Sequence, residues 1–201
     1  MTTFLLIRHG LTDAVGNMMT GHEPGVNLNP VGVEQAASLP ARLGTVTIDA
    51  IYASPLERAR QTAQPLADAR RLPVLIEPRF IEIDYGGWTN RRFAEMASDP
   101  HWRVYNAFRG VARPPGGEAL VDVQRRTADA LFDLHAKHPD DTVVVVSHAD
   151  TLRAILLYML GMPVDFVQRI ELSPARISVL QFGAHAPRVL QVNGETCPAN
   201  G

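Results

Sequence analysis

The sequence contains little cysteine and no long apolar run. Cys197 is the one cysteine in 201 residues, so no internal disulfide can form. The longest apolar runs, at 143–146 and 155–160, are far shorter than the roughly 20 residues of a membrane-spanning helix. The first residues also lack the basic region and long apolar stretch of a signal peptide. We therefore expect a soluble, cytoplasmic protein that has no disulfide framework and no membrane partner.

An excess of charge of either sign is also missing. The formal net charge of -2 gives no overall attraction for nucleic acid, so we expect no nucleic-acid partner. Lys137 is the one lysine among 19 basic residues, and the other 18 are arginine. With so little net charge, any anion binding must be local. The arginine excess suits bidentate recognition of carboxylate or phosphate, and the base composition of the genome explains it equally well.

Several motifs that mark common enzyme classes are absent. The chain has no Gly-x-x-x-x-Gly-Lys-Ser/Thr loop, no Gly-x-Gly-x-x-Gly after a strand and no Gly-x-Ser-x-Gly elbow. It also lacks His-Glu-x-x-His, and we predict that His135 and His138, which precede a helix-ending proline, are surface residues. These absences weigh against nucleotide triphosphatases, dinucleotide enzymes and serine hydrolases, and we expect neither a metal nor a cofactor.

The hydrophobic pattern predicts an α/β fold. A hydrophobic share of 46% over 201 residues fits one globular domain spanning residues 1–201. Apolar runs at 3–7 and 142–146, with weaker runs at 48–52 and 73–76, are typical of strands buried in a parallel sheet. Helical patterns at 30–43, at 118–137 and after Asp150 alternate with them, which favours a three-layer α/β/α sandwich with a mainly parallel central sheet. Further strands, some antiparallel, are predicted at 170–172, 176–182 and 188–192.

Two local signals concern helix ends. Ser54-Pro55-Leu56-Glu57 has the pattern of a capping box, which predicts a helix that begins at Pro55 with Ser54 as its N-cap. Pro40 predicts a kink or an early end in the helix at 30–43, because proline removes a backbone donor.

The regular pattern weakens between Gly86 and Gly117. This segment holds both tryptophans and is bracketed by Gly-Gly and Pro-Pro pairs. Insertions of this kind are commonly helical lids over a site, so one interpretation is a lid at about 86–117. The other is a helical excursion that packs on the side of the sheet.

Polar side chains follow three of the predicted strands. Arg8 and His9 follow the first strand, Ser54 follows another, and His148 follows the strand at 142–146. Ligands of open α/β sheets bind beyond the carboxyl ends of strands, where these residues and Arg58 converge. Two arginines and two histidines suit a phosphoryl group, which spreads negative charge over three oxygens during transfer. An imidazole nucleophile would then form a phosphohistidine.

A leaving alkoxide also needs a proton. Glu82 precedes the segment at 86–117 and is the first candidate for the acid. Asp84, two residues further on, competes with it, and spacing alone leaves both open.

These residues resemble the histidine phosphatase superfamily, the phosphoglycerate-mutase-like proteins. The resemblance rests on Arg8-His9-Gly10, 54–62, 82–88, 115–118 and Ser147-His148, in that order. The loop at 20–26 and the stretch at 150–155 are similar to a bacterial subgroup of probable phosphomutases. The resemblance implies that His9 is the phosphorylated nucleophile, that Arg8, Arg58 and His148 form the phosphate pocket, and that Glu82 moves the proton. The substrate-binding positions it implies beyond the pocket are Thr12, Asn17, Thr20, Gly21 and Ala149.

The chain departs from the family pattern at several positions around this set. Relatives often have other residues at Leu11, Val15, His22, Asn90 and Ala149. The core set is intact, so these departures bear on substrate contacts and leave the chemistry unchanged.

The resulting hypothesis is a phosphomonoester hydrolase that acts on a small phosphorylated metabolite through a phosphohistidine. A phosphoglycerate-type mutase and a catalytically idle phospho-ligand-binding protein are the alternatives, and the short chain favours hydrolysis. Arginines in the predicted insertion either bind a second acidic group or form a solvated face; they are Arg91, Arg92, Arg103 and Arg109. An apolar edge strand near 176–182 is compatible with a monomer or a homodimer.

Overall fold

A computed structural model describes residues 1–198, so positions 199–201 of the predicted domain lie outside the described residues. The strands are β1 (Thr2–Arg8), β2 (Ala50–Ala53), β3 (Val74–Ile76), β4 (Thr142–Ser147), β5 (Ile177–Phe182) and β6 (Arg188–Gly194). The α-helices are α1 (Pro30–Leu43), α2 (Glu57–Arg70), α3 (Phe93–Met96), α4 (Pro100–Ala107), α5 (Leu120–Lys137) and α6 (Ala149–Met159). None of the helices within 1–198 is both long and apolar enough to cross a membrane.

One six-stranded sheet organises the molecule in the order β3-β2-β4-β1-β5-β6. The first four strands of this order are parallel, and β5 and β6 are antiparallel to their neighbours. The prediction of an edge strand near 176–182 is wrong, because β5 pairs with β1 on one side and with β6 on the other. Arg8 pairs with Ser147 in register, and Ala53 pairs with Val146. The ends of β1, β2 and β4 therefore lie at one edge of the sheet, and the predicted mainly parallel α/β fold is confirmed.

The core has two halves, one on each face of the sheet. Along β1, Phe4 and Leu6 pack on the face covered by α5 and α6, and Leu5 and Ile7 pack on the face covered by α1 and α2. The four valines of β4 alternate between the same two faces. Both faces of these strands are covered, as their continuous apolar runs predict. The sheet and the helices on its two faces form the three-layer α/β/α arrangement.

The predicted capping box at Ser54 is wrong. Helix α2 begins at Glu57, and its N-cap residue, Leu56, makes no side-chain cap. The Ser54 hydroxyl instead contacts His148 Nε2 at 2.7 Å, and the Ser54 amide donates to the Val146 carbonyl at 2.9 Å. A capping box would use the hydroxyl and the amide of Ser54, and both of these groups bond here to residues distant in sequence.

Two further predictions also need correction. Residues 170–172 form no strand, because the carbonyls of Ile170 and Leu172 accept hydrogen bonds from Arg153 Nε (2.8 Å) and Arg8 Nη1 (2.6 Å). Helix α1 does not end early at Pro40 but continues to Leu43, where the amide of Gly44 caps it. Burial of its apolar face on both sides of the proline outweighs one lost backbone bond.

The two histidines assigned to the surface are only partly exposed. His135 Nδ1 contacts the Thr2 hydroxyl at 2.7 Å, and His138 Nε2 contacts the Tyr52 hydroxyl at 3.0 Å. They fasten the end of α5 to the sheet, so the prediction of simple surface residues is wrong for both.

The segment 86–117 contains a 3-10 turn at Gly86–Trp88 followed by α3 and α4. It has a small core of its own, formed by Trp88, Met96 and Tyr105 with Met19 from the first loop. Its two ends lie side by side, since the Gly87 amide donates to the Pro115 carbonyl at 2.7 Å. Gly86 has a φ of 49°, and a Cβ there would lie 2.3 Å from the same carbonyl oxygen, so this junction requires glycine.

Candidate active site

Three chain segments meet where β1, β2 and β4 end. The His9 amide donates to the Ser147 carbonyl at 2.9 Å, which extends the pairing of β1 and β4 by one residue. His148 and Ser54 follow the neighbouring strands. The sheet register therefore brings together the side chains that the sequence predicts to converge.

His9 is 5% exposed and is held in one orientation by its own backbone. Its Nδ1 lies 2.7 Å from the Gly10 carbonyl oxygen. A carbonyl only accepts, so Nδ1 carries the proton and Nε2 has the free lone pair. Burial, together with the cations Arg58 and Arg8, holds the pKa of His9 well below its ordinary value. The ring is therefore neutral near pH 7 and able to act as a nucleophile.

His148 lies directly behind His9 and is fully buried. The two ring centroids are 5.2 Å apart. Nε2 of His148 contacts the Ser54 hydroxyl, and its buried Nδ1 has no hydrogen-bond partner among residues 1–198. Burial and the cation Arg58 lower the pKa of His148 well below its ordinary value.

Two arginines, Arg58 buried and Arg8 half-buried, complete a set of donors. Arg58 Nη2 donates to the Gly21 carbonyl at 2.8 Å, and Arg8 Nη1 donates to the Leu172 carbonyl at 2.6 Å. Within the described chain, Arg58 Nη1 and Arg8 Nε are buried without a partner, and no carboxylate lies within 4.0 Å of either guanidinium. A buried cation without a counter-charge is costly. This arrangement is therefore a site for an anion.

Glu82 lies with Arg8 and Arg58 in the wall of one cleft. Its Oε1 accepts from the Ile83 amide and the Thr151 hydroxyl, both at 3.0 Å, and no hydrogen bond of Oε2 is found within residues 1–198. Burial raises the pKa of Glu82, and the charge of Asp150 raises it further. Asp84 does not line the cleft, since its Oδ1 accepts from the Gly86 amide at 2.8 Å. The geometry therefore favours Glu82 over Asp84 as the acid.

Arg8, Arg58 and Glu82 border this cleft, which has a volume of about 430 Å³; the fully buried His148 does not line it. The predicted site residues that line it are Arg8, His9, Thr12, Thr20, Gly21, Arg58, Glu82 and Ala149. Asn17 lies apart, in a neighbouring depression, where its amide donates to the Asp13 carbonyl. The described residues contain no group of three or more His, Cys, Asp or Glu side chains that could hold a metal ion.

The family model described as the histidine phosphatase superfamily (branch 1) matches residues 4–195. This chain belongs to the histidine phosphatase superfamily. The match begins within β1, includes His9 and extends past the last strand of the sheet.

Named relatives in the superfamily include several phosphatases. Phosphoserine phosphatase 1 of Hydrogenobacter thermophilus is 31% identical over 201 residues, which cover 96% of this chain and 92% of the relative. The adenosylcobalamin/alpha-ribazole phosphatase of Escherichia coli is 32% identical over 164 residues, 80% of each chain. The bifunctional protein Rv2228c of Mycobacterium tuberculosis is 32% identical over 200 residues, and this chain spans 54% of its length. The chain thus spans about half the length of some curated relatives that it matches.

Solved structures of the superfamily share the whole fold. A mycobacterial glucosyl-3-phosphoglycerate phosphatase, Rv2419c, solved with VO3, superposes with a TM-score of 0.87 at 29% identity and covers 96% of this chain and 98% of its own. YhfR of Bacillus stearothermophilus gives a TM-score of 0.90 at 27% identity, with 98% of each chain covered.

In this member of the superfamily, a second polar cluster lies beside Arg8, Arg58 and Glu82. Asp150 accepts from Arg109 Nη1 at 2.7 Å, Tyr85 Oη at 3.0 Å and Arg153 Nη1 at 3.2 Å. Burial alone would raise the pKa of Asp150, but Arg109 and Arg153 outweigh it and bring the pKa to about 2. The sequence left two interpretations of Arg109, a ligand for a second acidic group or part of a solvated face. The side chain is instead buried and bonded to Asp150.

No motif in the sequence links the members of this cluster to one another. Asp150 directly follows the Ser-His-Ala of the strand end, but its partner Arg109 is 41 positions away in the segment 86–117. Thr151, which contacts Glu82, follows in the same helix turn. Only the folded arrangement brings these side chains to the cleft.

Proposed function

We propose that this protein hydrolyses phosphate monoesters of small metabolites through a phosphohistidine on His9. The observation that carries the proposal is the convergence of buried, unpartnered donors on Arg8, Arg58 and His148 around a neutral, oriented imidazole. The relatives named for phosphoserine, alpha-ribazole and glucosyl-3-phosphoglycerate support a small phosphorylated substrate.

In the first step, Nε2 of His9 attacks phosphorus in line with the ester oxygen. The P–O bond to the leaving group breaks as the N–P bond forms, and protonated Glu82 donates its proton from Oε2 to the departing oxygen. The Gly10 carbonyl holds the Nδ1 proton and stabilises the positive charge that develops on the ring.

The phosphoryl oxygens are held during transfer by Arg8, Arg58 and His148. If the Ser54 hydroxyl donates to His148 Nε2, then His148 Nδ1 carries a proton that a phosphoryl oxygen accepts. Donors already fixed in place stabilise the developing charge without reorganisation.

In the second step, water attacks the phosphohistidine. Ionised Glu82 takes a proton from the water, the N–P bond breaks, and inorganic phosphate leaves with His9 and Glu82 in their starting states. The same carboxyl thus acts first as acid and then as base. No step requires a metal ion.

We also propose that the segment 86–117 is the lid of this site. Phe93, Trp102, Asn106 and Arg109 from this segment line the cleft beside His9. A lid of this kind restricts water and contacts the leaving group of the substrate. The cytoplasmic location, the single domain and the monomeric or homodimeric state stay predictions.

The experiment is turnover of p-nitrophenyl phosphate, combined with a search for an acid-labile phosphoprotein after rapid quench. We expect sustained phosphate release and a phosphohistidine that is lost in His9→Ala. Phosphate binding without turnover would support an idle binding protein instead. Isomerised product without free phosphate, on a metabolite panel, would support a mutase.

A further inference from the structure

The segment that carries Glu82 has no regular secondary structure from residue 81 to residue 85. Backbone carbonyls outside helices and strands need other donors. Arg126 of α5 supplies them: Nη1 donates to the carbonyls of Arg79 and Ile81, and Nη2 donates to the carbonyl of Glu82 itself at 3.1 Å. One guanidinium therefore holds three carbonyls around the proposed acid.

Glu118 fixes this guanidinium from the opposite side. Its Oε1 accepts from Arg126 Nε at 2.8 Å and its Oε2 from Arg126 Nη2 at 3.0 Å, a bidentate and charge-assisted pair. Glu118 also exchanges backbone and side-chain hydrogen bonds with Asp84, at 2.9 and 3.3 Å. The Arg126–Glu118 pair thus holds the backbone in place on both sides of Glu82.

Two other side chains act on Glu82 from different elements. His22 Nε2 contacts the Glu82 carbonyl oxygen at 2.7 Å. Thr151 fixes Oε1 of the carboxyl with its hydroxyl (3.0 Å) and its amide (3.3 Å). Thr151 therefore sets the rotation of the carboxyl group, and Arg126 sets the position of the backbone that carries it.

We propose that Arg126 is a positioning residue that keeps Glu82 Oε2 within reach of the leaving oxygen. The inference rests on the proposed function, in which Glu82 is the proton donor. Arg126 does not line the cleft, and all three of its guanidinium nitrogens already donate to backbone carbonyls or to Glu118. It therefore acts through Glu82 and not on the substrate.

The proposal predicts a loss that depends on the leaving group. p-Nitrophenolate departs readily without a proton, whereas phenolate is a poorer leaving group and depends more on the acid. A displacement of about 1 Å in a catalytic group can cost on the order of 100-fold in rate. A displaced Glu82 therefore harms phenyl phosphate more than p-nitrophenyl phosphate, although the two esters have nearly the same size.

The test compares kcat/KM for these two esters in the wild-type protein, Arg126→Gln, Arg126→Lys and Glu82→Gln. Arg125→Gln is the matched control, because Arg125 is the exposed neighbour of Arg126 on the same helix. For Arg126→Gln we expect kcat/KM to fall roughly 10-fold to 100-fold more for phenyl phosphate than for p-nitrophenyl phosphate. Arg126→Lys, which keeps the charge and some donors, recovers part of the difference, and Arg125→Gln matches the wild-type protein.

Equal losses on both esters in Arg126→Gln, or no loss at all, would overturn the inference, because general damage to the fold does not select a leaving group. If Arg126→Gln does not fold, Arg126→Lys decides by the same ratio. The Glu82→Gln variant separates the two hypotheses. If Glu82→Gln loses the same kcat/KM on both esters, the role of Glu82 as the acid is rejected. If Glu82→Gln loses more on phenyl phosphate but neither Arg126 variant does, only the role of Arg126 is rejected.

Discussion

His9 and His148 lie with their ring centroids 5.2 Å apart, and each is fixed by an uncharged partner, the Gly10 carbonyl and the Ser54 hydroxyl. A carboxylate partner would raise the pKa of a histidine and favour its role as a base, as in serine hydrolases. Here burial and two arginines lower both pKa values. The pair therefore suits direct attack on phosphorus by one ring and donation to the phosphoryl group by the other.

The first prediction concerns Arg58, which is 1% exposed. Arg58→Met should lower the rate with p-nitrophenyl phosphate by about 10²–10³, the scale for loss of one preorganised donor. It also removes a buried charge without a carboxylate partner, so the free energy of unfolding should rise by about 1 kcal/mol in phosphate-free buffer.

Thermal unfolding with and without inorganic phosphate checks this prediction. Phosphate should raise the Tm of the wild-type protein and have little effect on Arg58→Met. Arg60→Met, an exposed change on the same helix, is the control and should respond like the wild-type protein. An Arg58→Met protein that keeps the phosphate response would contradict the assignment of the anion site.

The second prediction concerns the pH dependence of stability. Burial holds the pKa of His9 well below its ordinary value of 6.5. Below about pH 6.5 the unfolded chain binds a proton at this histidine and the folded protein does not, so the free energy of unfolding falls as the pH is lowered. The slope approaches about 1.4 kcal/mol per pH unit for each such histidine as the pH falls.

Urea unfolding between pH 5 and pH 7 measures this slope. His9→Gln should reduce it by about 0.7 kcal/mol per pH unit near pH 6.5 and by about 1.3 kcal/mol per pH unit near pH 5. His185→Gln, a change at an exposed histidine, should leave it unchanged. Identical slopes in His9→Gln and the wild-type protein would show that His9 is not buried in its neutral form.

Sequence and structure agree best where one physical cause dominates. The continuous apolar runs of β1 and β4 predict burial on both faces, and both strands form as expected. The Ser54 capping box fails because the same atoms find stronger tertiary partners in His148 and Val146. A local sequence pattern does not show that distant residues compete for the same atoms of Ser54.

Long-range pairs are the other limit. The contact between Arg109 and Asp150 joins residues 41 positions apart, and no periodicity or motif connects them. Arg109 and Asp150 meet only because the segment 86–117 packs against the end of the sheet where α6 begins.

The third prediction concerns this pair, whose side chains are 7% and 8% exposed. Arg109→Met leaves the buried charge of Asp150 with fewer partners and should lower the free energy of unfolding by about 3 kcal/mol. Arg113→Met is the control, since the Arg113–Asp122 pair in the same region is 55% and 36% exposed, and its loss should cost less than about 1 kcal/mol. Urea denaturation measures both, and equal costs would contradict the argument from burial.

The fourth prediction concerns the alkaline limb of the pH profile of kcat/KM, where the value falls as the pH rises. Burial raises the pKa of Glu82, and the negative charge of Asp150 adds to this. Since Glu82 must be protonated to act as the acid, kcat/KM for phenyl phosphate should fall as the pH rises through that pKa. Asp150→Asn removes the charge, so the limb should move to lower pH. A pH series checks this, with exposed Asp129→Asn as control, and a limb that stays in place or moves to higher pH would contradict it.

The contact of Gly87 with Pro115 closes the base of the segment 86–117. Because entry and exit points coincide, the chain between them can lengthen or shorten without changing the register of the strands that hold His9 and His148, provided that the Arg109–Asp150 contact is kept. Selection can then alter the choice of leaving group and conserve the phosphorus chemistry. Differences in substrate would therefore come mainly from changes in the segment 86–117, while His9 and His148 stay the same.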